Sequence, residues 1–317
     1  MSETAFYIVV ILVVLGSVMT VASGLIYGER RLLALWQDRF GPNRVGPFGL
    51  LQLVADMVKI FTKEDWIPPF ADKAIFVIAP AVLFVATLMS FAVLVFMPGV
   101  AVADVSIGLL FFLAMTSLTI YSSTLAGWSS NNKYSLLGAM RGTAQMLSYE
   151  VFMGLSVLGV VLLAGSFQIG QIVEAQRQMW FCIPQLPGLI LFFIASLGAI
   201  HRLPLDLPES ENELVAGYHS EYSGMKFATF FIGEYMGITL MSAMITTLFF
   251  GGYLGPLLPP VVWFVFKTLL VIALFILVRA ALPRPRYDQV MALAWKVLLP
   301  LSIVNLLLTG AIVVATR

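Results

Sequence analysis

Residues 5–27 read AFYIVVILVVLGSVMTVASGLIY, twenty-three in a row without a charge. A bilayer core about 30 Å thick is crossed by about 20 apolar residues of helix, so length and polarity together make this stretch a transmembrane helix. Seven more stretches qualify, at 74–96, 105–126, 143–165, 187–203, 227–250, 260–282 and 290–315. The fifth is the shortest, and everything after it would change sides if it failed to span. All are too long and too uniformly apolar for the alternating strands of a β-barrel. The chain is 60% hydrophobic and 11% charged, with a mean hydropathy of +0.96. A soluble domain carries about 25% charged residues, so soluble, disordered and nucleic-acid-binding classes fall away. The expected fold is all-α: a polytopic bundle of eight transmembrane helices forming one integral membrane domain over residues 1–317.

Charge placement orients the bundle. Glu3 precedes the first stretch and Arg30 and Arg31 follow it, the reverse of a cleavable signal peptide. Fifteen of the eighteen basic residues fall in the odd-numbered loops or the helix ends beside them. The even loops and termini hold only Arg177 and Arg317, and Lys267 lies within a stretch. The positive-inside rule then puts loops 28–73, 127–142, 204–226 and 283–289 in the cytoplasm and both termini on the outer, periplasmic side.

Within the first loop, Gln52, Asp56, Lys59 and Lys63 recur at helical spacing, opposite Leu50, Leu51, Val54, Met57, Val58 and Phe61. This is an amphipathic helix suited to the plane of the membrane interface, although the same pattern serves packing against neighbouring helices. GPNRVGP at 41–47 fixes a turn before it.

Residues 202–226, RLPLDLPESENELVAGYHSEYSGMK, break the basic pattern with Asp206, Glu209, Glu211, Glu213 and Glu221. Pro208 followed by acids fits a capped, solvated helix start. A helix here would also put Asp206, Glu209 and Glu213 on one face, where like charges hold a proton more tightly.

Three ionisable residues stand well inside spans, away from their ends: Glu150, Glu234 and Lys267. Such groups persist in hydrocarbon as partners in a charge pair or interhelical hydrogen bond, or as functional groups. At 1.5 Å per residue the glutamates lie about 10 Å from the cytoplasmic side and Lys267 about 20 Å. With the acidic loop they make a graded series suited to a proton path that stops midway and needs a partner subunit. Cys182 is the one cysteine, which excludes an internal disulfide and a cysteine-ligated iron–sulfur cluster. Phosphate-binding motifs are absent, and the chain is expected to hold no metal or redox centre of its own.

Taken in order, Glu29-Arg30-Arg31, Gln37, Arg39, GPNRVG at 41–46, KEDW at 63–66, SYE at 148–150, the acidic loop ending in Glu221-Tyr222, GEY at 233–235 and PRPRYDQ at 283–289 resemble the H-type membrane subunits of bacterial NADH–quinone oxidoreductase. This is the subunit 1 family of respiratory complex I, and the resemblance covers essentially the whole chain. It implies a multi-pass component of the bacterial inner membrane, with a ubiquinone- or menaquinone-type substrate. NADH, FMN and iron–sulfur clusters would belong to partner subunits: those of the peripheral arm at the quinone site, and the antiporter-like and small subunits of the membrane arm. By the same resemblance, Glu29, Arg30, Arg39 and Asp56 match the quinone tunnel, and Asp206, Glu209, Glu211, Glu213 and Glu221 the acidic coupling loop. Glu150 and Glu234 match the buried proton route, while Arg279, Arg284 and Arg286 match a cluster that docks the peripheral arm. Leu205 stands where the family more usually has an aromatic, and Asn212 where it often has Ser or Thr. Three other readings compete with this one. A membrane component of an energy-converting hydrogenase would share the fold without binding quinone, and a stand-alone transporter would show paired broken helices and two similar halves. A structural anchor would use its acidic groups merely to dock other subunits.

Overall fold

The structure, a computed structural model, describes residues 3–316. Met1, Ser2 and Arg317 lie outside the described residues, as do the side chains of Glu3, Thr4, Phe6, Glu211 and Asn212. Six of the expected stretches are single long helices: α1 (Glu3–Trp36), α3 (Lys73–Ser90), α4 (Gly108–Ser129), α5 (Lys133–Ala164), α9 (Gly224–Phe249) and α10 (Pro260–Ala281). A seventh, Tyr287–Thr316, runs from α11 (Tyr287–Leu293) through a π-turn (Ala294–Leu298) into α12 (Leu299–Thr316). All seven are long and apolar enough to cross a membrane, which makes the chain a multi-pass membrane protein.

The fifth stretch is different. Its helix, α7 (Leu186–Ala199), has 14 residues, about 21 Å at 1.5 Å per residue and short of a bilayer core. Pro187 sits in its first turn, and the chain turns away after it at His201, whose φ is 50°. A buried polar junction ties the start of α7 to α12. Asn305 Nδ2 donates to Gln185 Oε1 (3.0 Å), and Gln185 Nε2 donates to Thr309 Oγ1 (2.6 Å). Gly159 and Gly188 make room for it, since a Cβ at either would lie 2.7 or 2.8 Å from Gln185 Oε1.

Two further departures have local causes. Pro98-Gly99, with Gly99 at φ 72°, turns the chain after α3 into a small hairpin, β1 (Val95–Met97) with β2 (Val100–Ala101), as Pro-Gly does at the centre of a type II turn. Loop 127–142 is mostly helix, because α5 starts ten residues before its apolar run, where Asn132 Oδ1 caps the Tyr134 amide at 2.9 Å.

Helix α9 is the buried axis of the bundle, packed against α1, α3 and α10, whereas α1 and α12 keep wide apolar faces exposed. The first loop folds into α2 (Leu51–Thr62), none of whose residues is buried. Leu51, Val54, Val58 and Phe61 are all more than half exposed, as expected of an amphipathic helix lying in an interface. Short helices α6 (Ile169–Ala175) and α8 (Glu211–Leu214) complete the chain.

Candidate functional site

The acidic loop does not form the helix that its spacing suggested. Pro204 and Pro208 keep 203–209 in turns, and α8 begins only at Glu211. The acids therefore separate. Asp206 and Glu209 turn inward, while Glu213 accepts a 2.5 Å bond from Arg141 Nη1 and Glu221 one of 2.7 Å from Asn132 Nδ2. Glu211 opens α8, and its side chain is among those outside the described residues.

The inward acids meet charges from three helices around a cavity of about 310 Å³. Arg202, at the start of the loop, is the hub. Its Nη1 donates to Glu29 of α1 at 3.2 Å, its guanidinium pairs with Glu234 of α9 at 2.8 Å, and its centre lies 4.5 Å over the Tyr235 ring. Glu29 also accepts from Arg279 at the end of α10. Arg284 grips Asp206 with two bonds of 2.6 Å, and Tyr218 donates to Glu209 at 3.2 Å. A buried ion pair is held in place only when most of its polar atoms are matched. Here Arg202 Nη2 and Glu29 Oε2 are buried with no hydrogen-bond partner among the described residues, so polar capacity is left over inside the cluster.

Burial sets the protonation states of the loop. It pushes the Glu209 carboxyl up to about 7, with the Asp206 charge adding to the effect and Arg202 opposing it. Burial also raises Asp206, and Arg284 takes back only part of the rise. Burial, helped by His219, drops the His201 imidazole to about 4. Arg202 stays charged although burial opposes it, because Glu234 and Glu29 face it.

Two neighbouring spaces give this chamber a direction. A cavity of about 290 Å³ between α1, α2 and α9 shares Arg30, Phe227 and Phe231 with it. The rest of its wall is mostly apolar, including Ile26, Leu53, Met57 and Ile60. Arg30 and Asp56, paired at 2.6 Å, tie α2 to α1 at that point. On the membrane side, a space of about 50 Å³ shares His201, Tyr218, Phe230 and Glu234 with the chamber. Hydroxyls of Thr87, Ser90, Thr116, Thr119, Ser122 and Ser123 line it. At about 10–15 Å³ per water, that space has room for a few waters.

The structure thus brings together Glu29, Asp206, Glu209, Glu234, Arg279 and Arg284, with Arg30 and Asp56 at the apolar side. It does not bring the other expected residues there. Arg39 bonds to the Gln37 side chain, and Arg286 to Asp288. Glu150 bonds to Ser117 across α4 and α5, with its Oε1 buried and without a partner among the described residues. Lys267 sits at the other end of the bundle, where its ammonium donates to the carbonyls of Phe250 (2.6 Å), Gly252 (3.2 Å) and Leu254 (2.5 Å) and lies 4.2 Å from the Trp180 ring. Sequence reasoning counted Arg202 among the orienting charges and passed over its role as hub. Its position beside five acids was the available signal.

Comparison with known proteins places the chain in a family. A family model described as NADH dehydrogenase matches residues 8–310. The NADH-quinone oxidoreductase H subunit of Methylococcus capsulatus (strain ATCC 33009 / NCIMB 11132 / Bath) is 60% identical over 304 residues, which cover 96% of this chain and 96% of that one. The chain belongs to the NADH dehydrogenase family of membrane subunits, the H-type (subunit 1) component of the NADH–quinone oxidoreductase complex.

Proposed function

We propose that this complex I membrane subunit forms part of the quinone path and couples quinone reduction to proton movement in the membrane. The observation that carries the reading is the adjacency of an apolar opening between α1, α2 and α9 to a chamber where Arg202 spans Glu29 and Glu234. A quinone is a long apolar tail with a small polar head, and binding sites of that kind pair an apolar wall with a few placed polar groups. The tail lies against Ile26, Leu53, Ile60 and Phe231, and the head approaches Arg202 and Glu209. Electrons arrive from iron–sulfur clusters in partner subunits.

Reduction to quinol takes two electrons and two protons. Glu209, poised near 7, holds one of these protons and can give it at neutral pH; the second enters from the cytoplasmic water. Negative charge developing on the head competes with Glu234 for Arg202. Glu234, with less of its counter-charge, then takes up a proton beside the hydroxyl-lined space. That is a local charge change acting on a two-state contact. Glu150 continues the path towards the antiporter-like subunits. Lys267, held by loop carbonyls, stands apart from this relay. Arg39, Arg44 and Arg286, exposed at the same end as the chamber, face the cytoplasm and dock the peripheral arm, in a bacterial inner membrane with both termini outside.

The testing experiment labels the intact complex with a photoreactive quinone carrying its reactive group on the head. Label on peptides containing Arg202, Glu209 or Phe231 is expected. Label confined to other subunits removes this chain from the quinone path.

A further inference from the structure

Among the described residues, Glu209 is the chamber acid to which no arginine is paired. Glu29 and Glu234 share Arg202, and Arg284 holds Asp206. Glu209 Oε1 instead accepts from the Tyr218 hydroxyl at 3.2 Å and faces His219 Nδ1 at 3.9 Å. Tyr218 cannot refill this carboxyl, because burial and the Glu209 charge hold its phenol well above the usual range. An imidazole is suited to that task. It titrates near neutral pH and has two ring nitrogens, one to take a proton and one to release it.

The fold fixes where the ring stands. Gly217–His219 form a single 3₁₀ turn, with Gly217 at φ 59°. A Cβ on Gly217 would lie 1.7 Å from the Pro208 carbonyl oxygen, so only glycine lets this turn close on the backbone beside Glu209. Tyr218 and His219 thereby reach the same carboxyl oxygen. Tyr218 meets the His219 ring edge-on at 4.9 Å, and Phe227 of α9 flanks it at 5.5 Å. Phe227 also lines the apolar opening, which puts His219 where the chamber meets that opening. His219 and Glu209 keep 16% and 23% of their side chains open to water.

The other ionisable groups of the chamber are Glu29 and Arg30 of α1, Glu234 and Tyr235 of α9, Arg279 of α10, His201 after α7, and Arg202 and Asp206 of the loop. The arginines oppose a charged imidazole, but each faces an acid of its own: Arg30 pairs with Asp56, and Arg202 and Arg279 with Glu29. His201, held down to about 4, is neutral beside it. Once Glu209 has given up its proton, its carboxylate is the counter-charge left for His219.

We propose that His219 is a proton relay behind Glu209, refilling it from cytoplasmic water after each transfer to the quinone. The inference rests on the quinone reading above. A hydronium ion gives its proton to Nε2 of the neutral ring and leaves as water. The imidazolium then passes its Nδ1 proton to Glu209 Oε1, and both groups are neutral again. The 3.9 Å gap closes as the carboxylate draws the charged ring in, as proton-transfer contacts tighten during turnover.

The test measures NADH-driven quinone reduction by the whole complex carrying His219→Gln or His219→Phe, from about pH 6 to 8.5, with and without added imidazole. The phenylalanine keeps the ring contacts to Tyr218 and Phe227, so that variant is expected to assemble. Both variants should turn over roughly tenfold more slowly than the unaltered complex near pH 8, and less slowly near pH 6, where hydronium is more abundant. Added imidazole should restore several-fold of the lost rate. An unaltered rate and profile in His219→Phe overturns the proposal, as does a deficit equal at every pH or one that imidazole leaves in place. Loss of assembly in both variants makes His219 a packing residue and overturns it too. If the relay fails while Glu209→Gln still removes the alkaline limb, the quinone reading stands without it; if Glu209→Gln keeps that limb, both fall.

Discussion

Arg202, in a loop, and Glu234, in a membrane-spanning helix, form an ion pair of 2.8 Å at the boundary between the chamber and the bundle. Both are largely buried, and Arg202 also serves Glu29. Removing one partner of a buried pair strands the other charge, at about 3–5 kcal/mol. Arg202→Ala is therefore expected to lose most of the assembled complex, read by native electrophoresis of solubilised membranes. Arg202→Lys keeps the charge without the fork that reaches two acids. It should assemble, with quinone turnover down roughly tenfold, about 1.4 kcal/mol in the barrier.

Glu209 gives the site a pH dependence. Its carboxyl is raised from 4.5 to about 7 in the folded protein, so the folded chain binds the extra proton between those values. Stability contributed by this group falls as pH rises through that window, because the unfolded chain releases its proton first. In turnover, quinone reduction should slow as pH rises above about 7 while Glu209 supplies the proton. Glu209→Gln should lower the rate and remove that limb, in a profile measured from about pH 5.5 to 8.5. An unchanged profile excludes Glu209 as the donor.

Lys267 is expected to matter for stability more than for coupling. Three carbonyls of the α9–α10 turn depend on its ammonium, and each buried acceptor left unpaired costs about 1–3 kcal/mol. Lys267→Met should lower the thermal stability of the purified complex and leave protons pumped per electron unchanged. A lowered pumping ratio at full stability would return Lys267 to the proton path.

The polar junction at the start of α7 is testable through its glycines. Gly159→Ala puts a methyl 2.7 Å from Gln185 Oε1, which breaks the bonds to Asn305 and Thr309. Interhelical hydrogen bonds in membranes contribute about 0.6–2 kcal/mol each, so a clear drop in melting temperature is expected. Gln185→Leu alone should cost less, and the two together little more than Gly159→Ala.

Much of the bundle was legible because span length and loop charge are one-dimensional properties. Seven apolar runs became seven long helices, and the alternation at 50–63 became the amphipathic α2. The fifth run reads longer in the sequence than its helix, because its apolar residues are shared between α7 and the turns beside it, where Gln185 meets Asn305 and Thr309 from more than a hundred residues away. The site was half legible. Asp206, Glu209 and Glu234 stood out as acids in unusual places, while Glu29 entered only through the family resemblance. Their hub Arg202 looked like any loop cation, since only folding shows that it faces α1 and α9 at once. Lys267 was grouped with the glutamates by depth, a coordinate along the helix that says nothing about which neighbour a side chain meets. Two prolines in the acidic loop outweighed its helical spacing, and so separated Glu213 from Asp206 and Glu209.

The most direct measurement is protons pumped per electron by the complex carrying Glu234→Gln, reconstituted in proteoliposomes and driven by NADH. The variant keeps the shape of the side chain but cannot take up a proton when Arg202 turns to the quinone. Quinone reduction that continues with a clearly lowered pumping ratio is the predicted result. A fully assembled variant that pumps at the normal ratio would contradict coupling through Arg202 and Glu234.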